Sequence, residues 1–153
     1  CSPEDLADVD LEYPIIVKPV FGDNAEGLVV FDEPADLKRL RWRDSEVIVQ
    51  EYRPGFGADL KLYVIDDFIA AVRRPSPISR CTARSLGGVP VNDALRDIIK
   101  RVSAAFGLRF FGVDCLEVGG RLEVLEVNDF PNYSSVPNAS ELLAEYVLRR
   151  AVA

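Results

Sequence analysis

The chain has 153 residues, 48% of them hydrophobic, and a formal net charge of −7, so it contains enough apolar material for one domain or two small lobes. The acidic balance excludes nucleic acid as the main partner, and with no apolar segment near twenty residues and no signal peptide, neither a membrane partner nor export is expected. The lack of histidine excludes histidine-based catalysis and histidine metal sites, and three widely spaced cysteines are typical of reduced thiols in a soluble cytoplasmic protein.

The first twelve residues form an acidic lead-in. Because carboxylates without apolar neighbours are usually solvated, residues 1–12 are predicted to be a linker. The carboxylates are Glu4, Asp5, Asp8, Asp10 and Glu12. The chain opens at Cys1 without an initiator methionine, so we expect it to be a fragment of a longer protein.

A first lobe is predicted over residues 13–56. A short helix begins at Pro34, which suits the first turn because its missing N–H is not needed there. The other predicted elements are strands over 13–20, 28–31 and 46–52 and a loop over 21–27. Together they form a small α+β unit.

A second lobe is predicted over residues 57–153. Its elements are strands 59–65 and 68–74, a mobile loop over 75–91, a helix from the Asn92 cap to Phe106, a hairpin over 110–128 and a last helix capped by Ser140. The first of these helices has one apolar face, and Gly107 ends it. That face consists of Leu95, Ile98, Ile99, Val102 and Phe106. The whole chain is therefore predicted to be α+β, in two halves.

The register of the 110–128 hairpin follows from its apolar residues. A two-residue loop at Gly119-Gly120 would pair charged with apolar residues at every step. A three-residue loop that includes Arg121 instead pairs apolar with apolar residues, and we predict this register. Its pairs are Val118 with Leu122, Leu116 with Val124, Cys115 with Leu125 and Val113 with Val127.

In this predicted register, Asp114 lies directly opposite Glu126, and Leu122, Val124, Glu126 and Asn128 share one face of the strand. Cross-strand neighbours are about 5 Å apart, so two facing carboxylates repel each other unless a cation lies between them or one is protonated. A cation is the simpler resolution, and oxygen ligands suit Mg²⁺ carrying a nucleotide. The alternative is an exposed sheet end on which the acids are merely solvated.

Basic residues within predicted strands indicate an anionic ligand. Lys18 and Lys61 each interrupt an apolar strand, where a lysine is seldom buried without a partner such as a phosphate. Lys18 has the alternative of lying at a strand end with its ammonium in water. Arg73 and Arg74 end another strand, and arginine suits the negative charge of a transferring phosphoryl group.

The loop over 21–27 is ambiguous. Its glycines, Gly22 and Gly27, would let backbone N–H groups approach phosphate oxygens, but Asp23 and Glu26 disfavour an anion. An ordinary hairpin turn fits equally well.

The ordered set of motifs resembles the ATP-grasp superfamily over residues 13–152. The motifs are VKP near Lys18, VQEY near Glu51, D-x-K at 59–61, the arginines at 73–74, and GVD followed twelve residues later by EVN. The resemblance implies an ATP-grasp fold, in which two α+β lobes sandwich ATP. A preceding N-terminal domain found in such enzymes has no counterpart here, so the fragment is expected to bind nucleotide yet lack activity alone.

The resemblance also implies roles for individual residues. The predicted nucleotide contacts are Lys18 and Lys61 for the phosphates, Gln50, Glu51 and Tyr52 for the adenine, and Asp59 for the ribose. Gly22, Asn24 and Gly27 of the loop over 21–27 are also predicted to bind the nucleotide. The predicted ligands of Mg²⁺ are Asp114, Glu126 and Asn128. The predicted catalytic arginine is one of Arg73, Arg74 and Arg84.

The GGV segment after Arg84 resembles the ligase branch that includes ribosomal-protein glutamate ligases and lysine-biosynthesis ligases. That likeness implies ATP, a small carboxylate or peptide, and an amine acceptor, joined through an acyl phosphate. The KLYVIDD, VRRPSP and EVNDFPNY segments also resemble inositol trisphosphate kinases of the same fold, and a nucleotide-binding module without turnover is a third alternative. Loop 75–91 offers only Arg80 and Arg84 to a polyanionic sugar, which favours the ligase.

Overall fold

A computed structural model describes residues 5–6, 10–21, 26–39, 46–53, 58–76, 78 and 87–152. The chain divides into two compact units, Cys1–Pro54 and Gly55–Ala153. Each unit has its own buried apolar clusters and its own sheet.

The first unit contains a three-stranded antiparallel sheet in the order β2-β1-β3. The strands are β1 (Ile15–Pro19), β2 (Val29–Phe31) and β3 (Val47–Glu51). Alternate residues of β1 point to opposite faces, so Ile15 and Val17 are buried with Phe31 and Val47. The helix predicted at Pro34 is a 3-10 helix, Pro34–Arg39, and the rest of its predicted span lies outside the described residues.

The second unit contains a five-stranded antiparallel sheet in the order β6-β5-β4-β7-β8. The strands are β4 (Ala58–Ile65), β5 (Phe68–Pro75), β6 (Gly87–Val89), β7 (Phe110–Val118) and β8 (Arg121–Asn128). The strands predicted over 59–65 and 68–74 are confirmed as β4 and β5, and they form a hairpin in which Ile65 pairs with Phe68. The prediction of a loop over 75–91 is wrong at Pro75, which belongs to β5, and at residues 87–89, which form β6 beside it; residues 77 and 79–86 of this span lie outside the described residues.

Helix α1 (Asp93–Phe106) has the ends that the sequence predicts. The Asn92 side chain accepts a hydrogen bond from the backbone N–H of Leu95 at 3.0 Å, and Gly107 adopts the left-handed conformation that ends the helix. Four of the five predicted apolar residues are buried, but Phe106 is 64% exposed, so its assignment to the buried face was wrong.

The two faces of the second sheet carry different clusters. We call the face that packs against α1 the helix face. Its buried residues include Leu60, Leu62, Phe111, Val113 and Cys115. Tyr63, Ile65 and Val72 lie on the opposite face and pack with Tyr133, Val136 and Ala139. Tyr133 belongs to a 3-10 helix, Tyr133–Ser135, and donates a hydrogen bond from its hydroxyl to the backbone oxygen of Val64 at 2.9 Å.

Helix α2 (Ala139–Ala151) starts earlier than predicted. Asn138 is the N-cap residue, so the predicted Ser140 cap was wrong: Ser140 lies inside the first turn. Among the described residues, no helix combines the length and apolar sequence that crossing a membrane would require.

The β7–β8 hairpin has an irregular register. At its tip Val118 pairs with Arg121 and Glu117 with Leu122, so the loop has two residues and the predicted three-residue loop was wrong. Farther along, Cys115 pairs with Val124 while Asp114 pairs with Glu126, which leaves Leu125 as the extra residue of a β-bulge. The predicted pairs Asp114–Glu126 and Val113–Val127 are confirmed.

The bulge changes which residues share a face. Leu122 and Val124 lie opposite Glu117 and Cys115, on the helix face, whereas Glu126 and Asn128 lie on the other face. The prediction that all four share one face was therefore wrong. It failed because strict alternation does not continue through a bulge.

Two buried groups predict how stability depends on pH. Burial raises the pKa of the Cys115 thiol from 9.0 to about 11 and that of the Tyr133 hydroxyl from 10.0 to about 12. Since the folded state disfavours both anions, the free energy of unfolding should fall as pH rises from about 9 to about 12. Urea titrations at several pH values measure this. In Tyr133→Phe, the free energy of unfolding should fall less steeply with pH above pH 10. Near pH 8 the variant should be less stable than the wild type by about 1 kcal/mol, because it lacks the hydrogen bond of the hydroxyl. An unchanged slope above pH 10 would contradict the assignment to Tyr133.

Candidate functional site

Two cross-strand rows of the second unit bring the predicted site residues together. Lys61 on β4, Asp114 on β7 and Glu126 on β8 are direct neighbours in one row. Tyr63, Gly112 and Asn128 form the next row on the same face. We call this surface, defined by Lys61, Asp114, Glu126 and Asn128, the site face.

Asp114 is the centre of the contacts on the site face. Its Oδ2 lies 3.0 Å from Nζ of Lys61 and accepts a hydrogen bond from Nδ2 of Asn128 at 3.2 Å. The side chains of Lys61 and Asp114 are 19% and 25% exposed, so water screens this ion pair less than one on an open surface. Lys61 thus supplies the positive charge that the facing carboxylates need, a resolution that the sequence did not suggest.

The donor set of the site face suits a hard cation. Asp114 and Glu126 offer carboxylate oxygens, and because Asn128 donates through Nδ2, its Oδ1 remains to accept or coordinate. Within the described part of the chain, no three histidine, cysteine, aspartate or glutamate side chains are grouped to hold a metal ion. The set here is two carboxylates and an amide.

Asp59 lies beside this group. Burial raises the pKa of its carboxyl above the ordinary value of 3.8, the hydrogen bond with Ser76 lowers it, and the negative charge of Asp114 raises it further. Among the described residues, its Oδ1 is buried without a hydrogen-bond partner. Such an oxygen is costly to leave unpaired.

The chain after Asn128 is anchored over the site face. A β-carbon at Gly112 would lie 3.0 Å from Cβ of Pro131, so only glycine lets Pro131 approach this closely. The hydrogen bond of Tyr133 to Val64 fixes the next turn. Neither Gly112 nor Pro131 is among the site residues predicted from the sequence; the signal that could have found them is a glycine inside an apolar strand, which often marks a close approach.

The structure separates the two adjacent arginines. Arg74 pairs with Asp59 across β4 and β5, on the site face; its guanidinium lies 5.9 Å from the ring centre of Tyr63 and donates a hydrogen bond to Oγ of Ser135. Arg73 points to the helix face, where it forms an ion pair with Glu117 at 3.0 Å. The sequence carried no signal for Ser135.

The predicted nucleotide residues of the first unit are only partly described. Lys18 pairs with Ile48, and Gln50 pairs with Ile16 on the same face of the sheet. Glu51 lies opposite Ile15 on the buried face, with an ion pair to Arg53 at 3.2 Å, and the N–H of Tyr52 donates to the backbone oxygen of Pro14. Gly27 has a positive φ of 77°. Three predicted residues, Gly22, Asn24 and Arg84, lie outside the described residues.

A protein-family model described as a RimK-like ATP-grasp domain matches residues 3–145. Among curated proteins, inositol-tetrakisphosphate 1-kinase 3 from Arabidopsis thaliana is 23% identical over 180 residues, covering 95% of this chain and 50% of the kinase. Tetrahydromethanopterin:alpha-L-glutamate ligase from Methanococcus maripaludis is 28% identical over 141 residues, covering 84% of this chain and 48% of the ligase.

Solved structures of ATP-grasp enzymes are similar to this chain as well. The ATP-grasp ligase PsnB, complexed with a minimal precursor, Mg and ADP, has a TM-score of 0.64 and 26% identity, covering 94% of this chain and 50% of that chain. The α+β ATP-grasp fold is thereby confirmed. The chain spans about half the length of the curated relatives it matches.

Proposed function

Because the chain belongs to the RimK-like ATP-grasp domain family, we propose that it binds Mg²⁺ and ATP as part of an ATP-dependent ligase that joins a carboxylate to an amine. The observation that carries this proposal is the convergence of Lys61, Asp114, Glu126 and Asn128 on the site face. Their chemistry is that of a metal–polyphosphate site, with oxygen ligands for the metal and an ammonium for phosphate.

In this proposal, Asp114, Glu126 and Asn128 hold the metal ion. A bound Mg²⁺ would neutralise negative charge on the phosphates. Lys61 donates hydrogen bonds to phosphate oxygens. Asp59 stays a prediction as the contact to the ribose. For the first unit, Lys18, Gln50, Glu51 and Tyr52 stay predictions as nucleotide contacts, as do Gly22, Asn24 and Gly27.

The proposed ligase reaction has two steps. A carboxylate oxygen of the substrate attacks the terminal phosphorus of ATP, an O–P bond forms, and ADP leaves. The amine nitrogen then attacks the carbonyl carbon of the acyl phosphate, a C–N bond forms, and inorganic phosphate leaves with loss of a proton from nitrogen. Neither step requires a histidine or a cysteine nucleophile, which agrees with the composition.

A kinase is the second candidate. It is favoured by the likeness to inositol-tetrakisphosphate 1-kinases, which are named as kinases of a phosphorylated polyol. A polyanionic acceptor needs a basic pocket, and the net charge of −7, with Arg80 and Arg84 as the basic residues of the sequence 75–91, favours the ligase. The likeness to an alpha-L-glutamate ligase and to PsnB supports the same choice.

Product analysis on the full-length protein separates these candidates. With Mg²⁺ and ATP, the ligase proposal expects phosphate release that depends jointly on an amino acid or peptide carboxylate and an amine. A phosphorylated inositol product instead would establish the kinase. Binding of a non-hydrolysable ATP analogue without either product across both substrate panels would establish a nucleotide-binding module without turnover.

Arg74 is the proposed catalytic arginine, and Arg73 provides its matched control. Arg74→Lys should lower the rate of ADP formation about 100-fold, because lysine loses the planar donor geometry that stabilises a transferring phosphoryl group. The rate of ADP formation by Arg73→Lys should stay within about threefold of the wild-type rate, since a lysine on the helix face retains the charge opposite Glu117. Steady-state rates of both variants measure this, and equal losses would contradict the assignment.

A further inference from the structure

The ion pair of Lys61 places its ammonium against the carboxylate of Asp114, at the centre of the site face. Nζ of Lys61 is 3.0 Å from Oδ2 of Asp114, the oxygen that also accepts the amide of Asn128. The strand register holds this contact in place: Lys61 is the partner of Asp114 on one side, and Glu126 is its partner on the other. Asp114 therefore lies between an ammonium and a second carboxylate.

This arrangement affects how a free divalent cation meets the site. Two facing carboxylates attract a cation, but here the lysine already supplies a positive charge at hydrogen-bond distance. Both side chains of the pair are mostly buried, so the repulsion between the ammonium and an incoming metal ion is only weakly screened. A free metal ion that binds Asp114 therefore lies close to this ammonium, and the two positive charges repel each other.

We propose that Lys61 makes the site selective for a complex of a divalent cation with a polyphosphate over the free cation. A polyphosphate brings anionic oxygens that accept hydrogen bonds from the ammonium, so the repulsion between Lys61 and the metal ion is offset in the same binding event. Lys61 thus opposes the metal ion alone and favours the metal ion with its nucleotide. The inference rests on the proposed function, because it takes Asp114, Glu126 and Asn128 as the metal ligands.

Replacing Lys61 should therefore change two affinities in opposite directions. In the full-length protein, Lys61→Met should bind free Mn²⁺ about three- to tenfold more tightly than the wild type, because the competing charge is gone. The same variant should bind the Mg²⁺ complex of a non-hydrolysable ATP analogue about tenfold more weakly or worse, because the phosphate loses a donor. Calorimetry with the metal alone and with the complex measures both quantities.

Lys100→Met is the matched control. Lys100 is exposed on α1, and its replacement lowers the net charge from −7 by one, as Lys61→Met does. It should leave both affinities within about twofold, since a distant surface charge is screened by salt. Lys61→Gln is the second variant, for use if Lys61→Met does not retain the wild-type circular dichroism spectrum.

The outcomes distinguish this inference from the proposed function. Opposite shifts in the Lys61 variants, absent from Lys100→Met, would support the inference. Unchanged or weaker Mn²⁺ binding in the Lys61 variants would overturn it, while the metal site would stand if Glu126→Gln lowered Mn²⁺ affinity. If neither the wild type nor any Lys61 variant bound Mn²⁺, or if Glu126→Gln left binding intact, the metal assignment and the inference would fall together.

Discussion

The Glu126→Gln variant should lose about 100-fold or more in affinity for the Mg²⁺ complex of a non-hydrolysable ATP analogue, yet keep its fold. Glutamine has the same size as glutamate but lacks the charge that a hard cation requires. The folding cost should be small, because Glu126 is exposed and faces Asp114, so the change removes a repulsion between two carboxylates. Calorimetry gives the affinity, and thermal unfolding gives the stability.

Glu123→Gln is the control for this prediction. Glu123 is exposed on the same strand and pairs with Leu116, not with another carboxylate. Its replacement makes the same chemical change three residues away, and nucleotide affinity should stay within about twofold. Nucleotide binding that survives both Glu126→Gln and Asn128→Ala would rule out these residues as metal ligands.

Deleting Val127 should abolish metal-dependent nucleotide binding and destabilise the second unit by roughly 2–3 kcal/mol. Glu126 would keep its place opposite Asp114, but Asn128 would move to the position opposite Val113, which is fully buried on the helix face. The deletion therefore removes one predicted metal ligand from the site face. It also buries an amide against an apolar cluster that offers it no partner.

Deleting Leu125 should be tolerated, although it removes a larger side chain from the same strand. Leu125 is 48% exposed and is the extra residue of the bulge, so its loss leaves Val124 opposite Cys115 and Glu126 opposite Asp114 in a continuous ladder. The affinity for the Mg²⁺ complex of the ATP analogue should stay within about threefold of the wild-type value, and the free energy of unfolding within about 1 kcal/mol of it. Urea titrations and calorimetry on both deletions provide the comparison, and equal losses would mean that register is not what aligns the ligands.

Residue patterns predicted the regular elements well. Helix α1 was predictable because its cap, apolar spacing and final glycine all indicate the same boundaries. The pairing of Asp114 with Glu126 was also predictable, because Val113 and Val127 each need an apolar partner across the hairpin. The ATP-grasp fold followed from the order of several short motifs, none of them specific alone.

The predictions that failed did so for local physical reasons. The bulge at Leu125 could not be found by testing turn lengths, because it allows a two-residue turn at one end and the predicted pair at the other. Leu122 and Val127 gave a usable signal: they are five positions apart, and both pack on the helix face, which strict alternation forbids. Which of Arg73 and Arg74 lies on the site face depends on the register of β4 with β5, and the contact of Arg74 with Ser135 joins residues 61 positions apart, so neither could be predicted from the local sequence.

The bulge also makes the tip of the β7–β8 hairpin a suitable place for protein engineering. Because the bulge at Leu125 separates residues 121–124 from Glu126 in the ladder, a residue added to the Gly119-Gly120 turn can be taken up on the turn side of the bulge. The pairing of Asp114 with Glu126 would then be unchanged. A short reporter peptide or a fluorophore attachment point at these glycines would therefore leave the proposed metal ligands aligned.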